Sequence, residues 1–169
     1  MNEILNRLAY ALDYIASKIK YRAMKHKLTL YPNIHASVNM GSNVTLIGHR
    51  DAFYIGNRSY INDAIISTGA RSKVIIGTNC AIGYRVSIKA ITHDIKNPCP
   101  NDKGKICMLE ADIKIGNFCW IGDNVFIREG VILGDNVVVG ANSVVTKSFP
   151  DNVTIAGVPA KIISGVDNC

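Results

Sequence analysis

From Ile113 to Lys147 the chain repeats itself every six residues. Ile115, Ile121, Ile127, Leu133, Val139 and Val145 hold one position of the repeat, and Gly116, Gly122, Arg128, Gly134, Gly140 and Thr146 hold the next. Four places after each aliphatic come Cys119, Val125, Val131, Val137 and Ser143, all small or β-branched. A period of six fits neither the helical repeat of 3.6 nor the two-residue alternation of a plain strand. It fits short strands that each lay one aliphatic side chain into a shared interior and then turn a corner, where glycine helps. Three such strands close one triangular coil, so this stretch predicts about two coils of a β-helical prism.

The rest of the chain is read relative to that frame. Ile76, Ile82 and Ile88 continue it upstream, with Gly77 and Gly83 in the adjacent slot. Earlier still the hexads are irregular, beginning at Ile34, Leu46, Ile55 and Ile61, as suits the end coils of a repeat array. Between Ile88 and Ile115 the spacing is not a multiple of six. The intervening residues 89–112 hold two prolines, an Asp-Lys-Gly turn and several charges, and they predict a loop extruded from the prism. After Val145 the tail, with two prolines and the pair Ile162–Ile163, should complete the last coil and fold back over its end. The organisation expected is an amphipathic helix over 1–27, a prism over 28–163 and a short tail over 164–169.

Within residues 2–27, Ile4, Leu5, Leu8, Leu12, Ile15 and Ile19 recur at helical spacing, and Lys18, Lys20, Arg22, Lys25, His26 and Lys27 crowd the second half. Two readings fit: a helix packed on the prism or a neighbouring subunit with a solvated basic face, or a basic amphipathic segment resting on a membrane. The chain carries a formal charge of +6 but no nucleic-acid-binding motif, so a polyanionic cofactor or an acidic saccharide accounts for the excess better than nucleic acid. Five cysteines without a CxxC pair argue against a disulfide framework and for a reducing, cytoplasmic setting. Cys80 and Cys119 fall in small-residue slots, where a thiol is a compact filler. No secretory signal or apolar run long enough to span a membrane is evident.

His93 stands out among four histidines because it lies in the single excursion from a rigid scaffold. An imidazole there is suited to take a proton from a hydroxyl or amine, and Asp94 beside it is a candidate to orient it. Trp120, the only tryptophan, sits at an outward place in the hexad and must cover a loop or a ligand. His26, His35, His49 and His93 show no metal-ligand spacing, so no metal is assigned.

The run from Ile115 to Ile163 strongly resembles the C-terminal half of the hexapeptide-repeat acyltransferases, in the branch of galactoside, maltose and nodulation-factor O-acetyltransferases with related polysaccharide O-acetyltransferases. The segment TNCAIGYRVSIKAITHD resembles the approach to that branch's catalytic histidine, which aligns with His93. The resemblance covers roughly residues 55–163, is most specific over 113–163, and excludes the N-terminal helix. It implies a left-handed parallel β-helix, a homotrimer with active sites between subunits, and acetyl-coenzyme A as donor. Carried over by position, it places Trp120 near the histidine and Gly122, Gly140 and Ala141 at cofactor-facing corners. Thr146 and Lys147 fall near the nucleotide end, and Gly157, Val158 and Lys161 in the tail that covers adenine and meets phosphate. Tyr60 and Asn62 resemble an acceptor-side element.

Two departures concern the acceptor. Arg85 stands where galactoside acetyltransferases carry an asparagine, and the loop after His93 differs from theirs. Arg85, with Arg58 and Lys89, would suit an acidic sugar. The activity implied is O-acetylation of a saccharide hydroxyl, with His93 as general base and direct attack in a ternary complex. The alternatives are N-acetylation of an amino sugar, or a non-catalytic or zinc-binding hexapeptide protein.

Overall fold

The computed structural model describes residues 2–95 and 107–165. A long helix, Asn2–Leu28, leads into a three-sided prism of short parallel strands. The first face carries Phe53–Ile55, Val74–Ile76, Ile113–Ile115 and Ile132–Leu133. The second carries Asn39–Met40, Tyr60–Ile61, Ala81–Ile82, Trp120–Ile121, Val138–Val139 and Val153–Gly157. The third carries Thr45–Ile47, Ala64–Ser67, Val86–Lys89, Phe126–Ile127 and Val144–Val145.

Register turns the hexad into three internal ladders. Ile55, Ile76, Ile115 and Leu133 stack on the first face. Met40, Ile61, Ile82, Ile121, Val139 and Ile155 stack on the second. Leu46, Ile66, Ile88, Ile127 and Val145 stack on the third. Ladder members from Met40 onward are buried, with Leu46 partly so, and the small-residue slots at Cys119, Val125, Val131, Val137 and Ser143 are buried between them. The coils are joined along the axis by backbone bonds such as Gly122 N–H to Val139 O (2.8 Å) and Phe126 N–H to Ser143 O (2.9 Å). Strand amides of the inner coils thus pair with carbonyls one coil away.

In the regular hexads glycine serves this fold mostly through close approach to the next coil. A Cβ at Gly122 would lie 2.7 Å from the Ala141 nitrogen, and one at Gly134 would lie 2.0 Å from Asp151 Oδ1. The left-handed corner conformation instead falls mostly to asparagines, Asn79, Asn124, Asn136, Asn142 and Asn152, joined by Arg58, Arg85 and Phe118. Asparagine adopts this region more readily than other non-glycine residues.

The irregular spacing upstream comes mainly from one corner, with one residue also missing between the Ile61 and Ile66 ladder positions. Regular coils place stacked residues 18 apart, as Asn117 and Asp135 are. The first coils place them 21 apart, as Ser37 and Arg58 are, and the coil bearing the excursion places them 39 apart. In each case the extra residues lie at the corner between the third and first faces. The first coil holds a short 3-10 turn there, Arg50–Ala52, and the third coil holds the long excursion. That excursion is narrower than a loop over 89–112. Lys89 still pairs with Ser67 in the third face, and Ala90 is buried. Beyond it, Ile91–His93 and Met108–Glu110 pair antiparallel as a β-arm. Cys107, on the arm's returning side, is disulfide-bonded. Cys80 and Cys119 are free and buried.

The arm is fastened at its base. Glu110 accepts N–H bonds from Arg71 (2.8 Å) and Ser72 (3.2 Å), and Asp112 accepts one from Lys73 (2.8 Å). The Arg71 and Ser72 amides hold the Glu110 carboxyl below its ordinary range despite some desolvation.

At the ends, Met24, Leu28 and Tyr31 bury against the first coil, with Tyr31 edge-on to Phe53 at 6.0 Å. The tail folds back as a strand, Ala160–Gly165, antiparallel to Val153–Gly157. Ile162 and Ile163 remain exposed, so the tail widens the second face instead of sealing the end with that pair.

Candidate active site

His93 is the last residue of the arm's outgoing strand, backbone-paired with Met108 and exposed. The arm leans over the corner between the third and first faces and encloses a cleft of about 530 Å³. Its walls include His93, Asp94, Leu109, Phe126, Glu129 and Thr146. Asp94 is half-buried, and its backbone N–H donates to Cys107 O at 2.7 Å, continuing the arm one step past His93.

Arg128 and Glu129 were not singled out from the sequence, yet both line this cleft. Arg128 Nε donates to Glu129 Oε1 at 2.9 Å, and a second guanidinium nitrogen contacts the same oxygen. The Glu129 side chain is only 6% exposed, whereas Arg128 reaches solvent at 43%. The carboxylate raises the Arg128 guanidinium above its ordinary value, and the two line the cleft as an ion pair. The signal was present in the repeat: Arg128 occupies a slot that holds glycine in most other hexads of the run.

The remaining candidates occupy other parts of the prism. Tyr60 and Trp120 share an outward file on the second face, with Ala81 between them, and both are substantially exposed. Asn62, Gly122, Gly140 and Ala141 lie at the corner between the second and third faces, where Asn62 N–H donates to Ile82 O and Gly122 N–H to Val139 O. At that corner Arg85 Nε donates to Asn124 Oδ1 (2.7 Å), and Asn124 Nδ2 donates to Asn142 Oδ1 (3.0 Å). Lys147 follows Thr146 and lies over the Phe149 ring at 5.5 Å. Gly157, at φ 104°, and Val158, 71% exposed, form the turn of the terminal hairpin, and Lys161 pairs with Ala156 beside it.

Within the chain these residues thus form two groups. His93, Asp94 and Thr146 share the cleft downstream of the third face. Tyr60, Asn62, Trp120, Gly122, Gly140 and Ala141 lie on the second face and at the corner upstream of the third. The third face separates them.

A prism of short strands in a six-residue repeat, bearing one arm, defines the class, the left-handed parallel β-helix of hexapeptide-repeat transferases. Residues 112–147 match the family described as bacterial transferase hexapeptide (six repeats). The Escherichia coli K12 protein WbbJ, whose name assigns it to O-acetyl transfer in lipopolysaccharide biosynthesis, is 35% identical over 89% of this chain and 84% of its own length. A maltose O-acetyltransferase from Clostridium difficile 630 superposes with a TM-score of 0.67 at 28% identity, covering 89% of this chain and 88% of that one. A galactoside acetyltransferase in complex with coenzyme A superposes at 0.63, also at 28% identity, over 90% of this chain and 83% of that one. The chain belongs to the hexapeptide-repeat acetyltransferases, in the branch of the galactoside and maltose enzymes.

Proposed function

We propose that the protein transfers an acetyl group from acetyl-coenzyme A to a hydroxyl of a saccharide, with His93 as general base. The observation that carries this reading is the position of His93. It stands on the one arm that leaves the prism, over a cleft walled by Thr146 and the Arg128–Glu129 pair. Acetyl-coenzyme A is the co-substrate, a reading supported by the coenzyme A complex of the galactoside enzyme.

In the reaction, the His93 imidazole takes the proton of the acceptor hydroxyl as its oxygen attacks the thioester carbonyl. The tetrahedral oxyanion is met by backbone N–H groups at the coil corners, for which Ala141 is the candidate. Its collapse breaks the carbon–sulfur bond, and the proton on the imidazole returns to the departing thiolate. Phosphates of the donor are matched by Lys147 and Lys161, and Gly157 and Val158 present a turn that can cover its adenine. Arg128, ion-paired with Glu129, presents guanidinium N–H donors at the cleft.

The two groups of site residues lie on opposite margins of the third face, which supports a homotrimer in which adjacent subunits complete each site. Tyr60, Asn62, Arg85 and Trp120 then line the acceptor side, and peripheral membrane contact by the N-terminal helix would bring a surface-borne saccharide within reach. N-acetylation of an amino sugar would use the same donor and base, and a panel of hydroxyl and amine acceptors separates the two. His93→Ala is expected to lower acetyl-dependent thiol release by about 10²–10⁴. Transfer within about tenfold of wild type would refute the base assignment.

A further inference from the structure

The N-terminal helix turns its apolar stripe away from the prism. At 100° per residue, Ile4, Leu5, Leu8, Leu12, Ile15 and Ile19 fall within one third of the helix circumference. Each is more than half exposed. The helix residues buried against the prism lie on the opposite side. Met24 and Leu28 are buried there, and Lys25 Nζ donates to Val38 O at 2.7 Å. Asp13, Ser17 and Tyr21 on that same side line a cavity shared with the first coil. The core therefore does not explain the stripe.

Charge decides among its possible occupants. Lys18 and Arg22 border the solvent edge of the stripe, whereas Lys20 and Lys27 lie between its other edge and the first coil, lining a cavity with Ser42 and Asn43. The helix has two acidic residues, Glu3 and Asp13, and both sit on the prism-facing half. Glu3 is also taken up by Arg7, at 2.8 Å. Helices that associate through an apolar seam place complementary charges along its borders, whereas two or three copies of this helix would oppose cation to cation. An apolar stripe edged with lysine and arginine matches a layer of acyl chains beneath anionic headgroups. Among the described residues no helix is long and apolar enough to cross a membrane, so the helix would lie in the surface. At 27 residues it reaches about 40 Å, and from Asp13 onward it runs beside the first coil.

We propose that this helix docks the protein on an anionic lipid bilayer through the stripe from Ile4 to Ile19. The inference does not depend on the acceptor or on catalysis. The full-length protein is sedimented with vesicles of phosphatidylcholine alone and with vesicles of equal parts phosphatidylcholine and phosphatidylglycerol. Binding to the anionic vesicles is expected to be at least about tenfold tighter and to weaken with salt. The double substitution Leu12→Glu, Ile15→Glu should abolish it, and Lys18→Glu with Arg22→Glu should reduce it about tenfold. Thermal unfolding should be unchanged in both, because all four side chains point away from the prism. Failure to bind anionic vesicles, equal binding to neutral ones, or full binding by the Leu12→Glu, Ile15→Glu protein would each overturn the proposal. So would loss of an oligomer in that variant by lipid-free light scattering, which would assign the stripe to a second copy.

Discussion

Ile132 and Leu133 are neighbours of nearly equal size on one strand, and the prism assigns them opposite environments. Leu133 is buried to 1% between Ile115 and Phe149, whereas Ile132 is 49% exposed on the outside of the same face. Leu133→Ala removes three carbons from the interior, a transfer loss of about 2.4 kcal/mol at about 0.8 kcal/mol per methylene. The hole then adds to this, and the neighbours have little freedom to close it. Backbone bonds from Gly116 N–H to Leu133 O (2.9 Å) and from Gly134 N–H to Phe149 O (3.0 Å) hold the flanking coils at fixed spacing. A total of about 4 kcal/mol follows, in the upper part of the range for leucine truncations. Ile132→Ala, already half in water, should cost about 1 kcal/mol. Urea unfolding followed by circular dichroism, at one protein concentration and with unchanged slope, measures both. In thermal scans the shifts should be about 8–16 °C and about 2–4 °C. A Leu133→Ala protein within about 1 kcal/mol of wild type would refute the ladder as the seat of stability.

Gly122→Ala should destabilise by about 1–3 kcal/mol, because the new Cβ would meet backbone atoms of the next coil, Ala141 N at 2.7 Å and Val139 O at 2.9 Å; a neutral result in the same urea assay would show that the coils can part. Glu110 titrates below its ordinary value when folded, so its contribution is present above about pH 4.3 and lost as pH falls through the folded value. Acid-unfolding curves of wild type and Glu110→Gln should therefore differ near neutrality and converge at low pH, and curves that stay parallel would place the effect elsewhere. The neighbouring Cys80 thiol, together with burial, pushes the Cys119 thiol up, and the two sulfurs point at glycine carbonyls of the next coil, Gly116 O (3.0 Å) from Cys80 and Gly134 O (3.2 Å) from Cys119. Peptide mass mapping after iodoacetamide should find both unlabelled in the native protein and labelled only after denaturation.

Much of the fold was legible because a six-residue period has few physical solutions. One aliphatic per strand and a small residue before each corner can be satisfied together only if coils stack in register, and Ile115 through Val145 do so. The glycines were legible in position but not in cause, since their role lies in the distance to the adjacent coil, a property of stacking that no single coil contains. Arg128 shows the same limit. Its place in a glycine slot was visible, but its pairing with the buried carboxylate of Glu129 beside His93 required the arm to fold over that corner.

The sequence by itself determined the repeat, the interior residues and the single excursion that bears His93, because periodicity is local and each hexad states its own inside and outside. Only the tertiary structure decided which corner the arm leaves from and that the expected site residues fall on two sides of one face. It also decided that the helix directs its apolar stripe away from the core. Those are matters of relative orientation, and orientation is set by where the chain docks, at Met24 and Leu28 for the helix and at Glu110 and Asp112 for the arm.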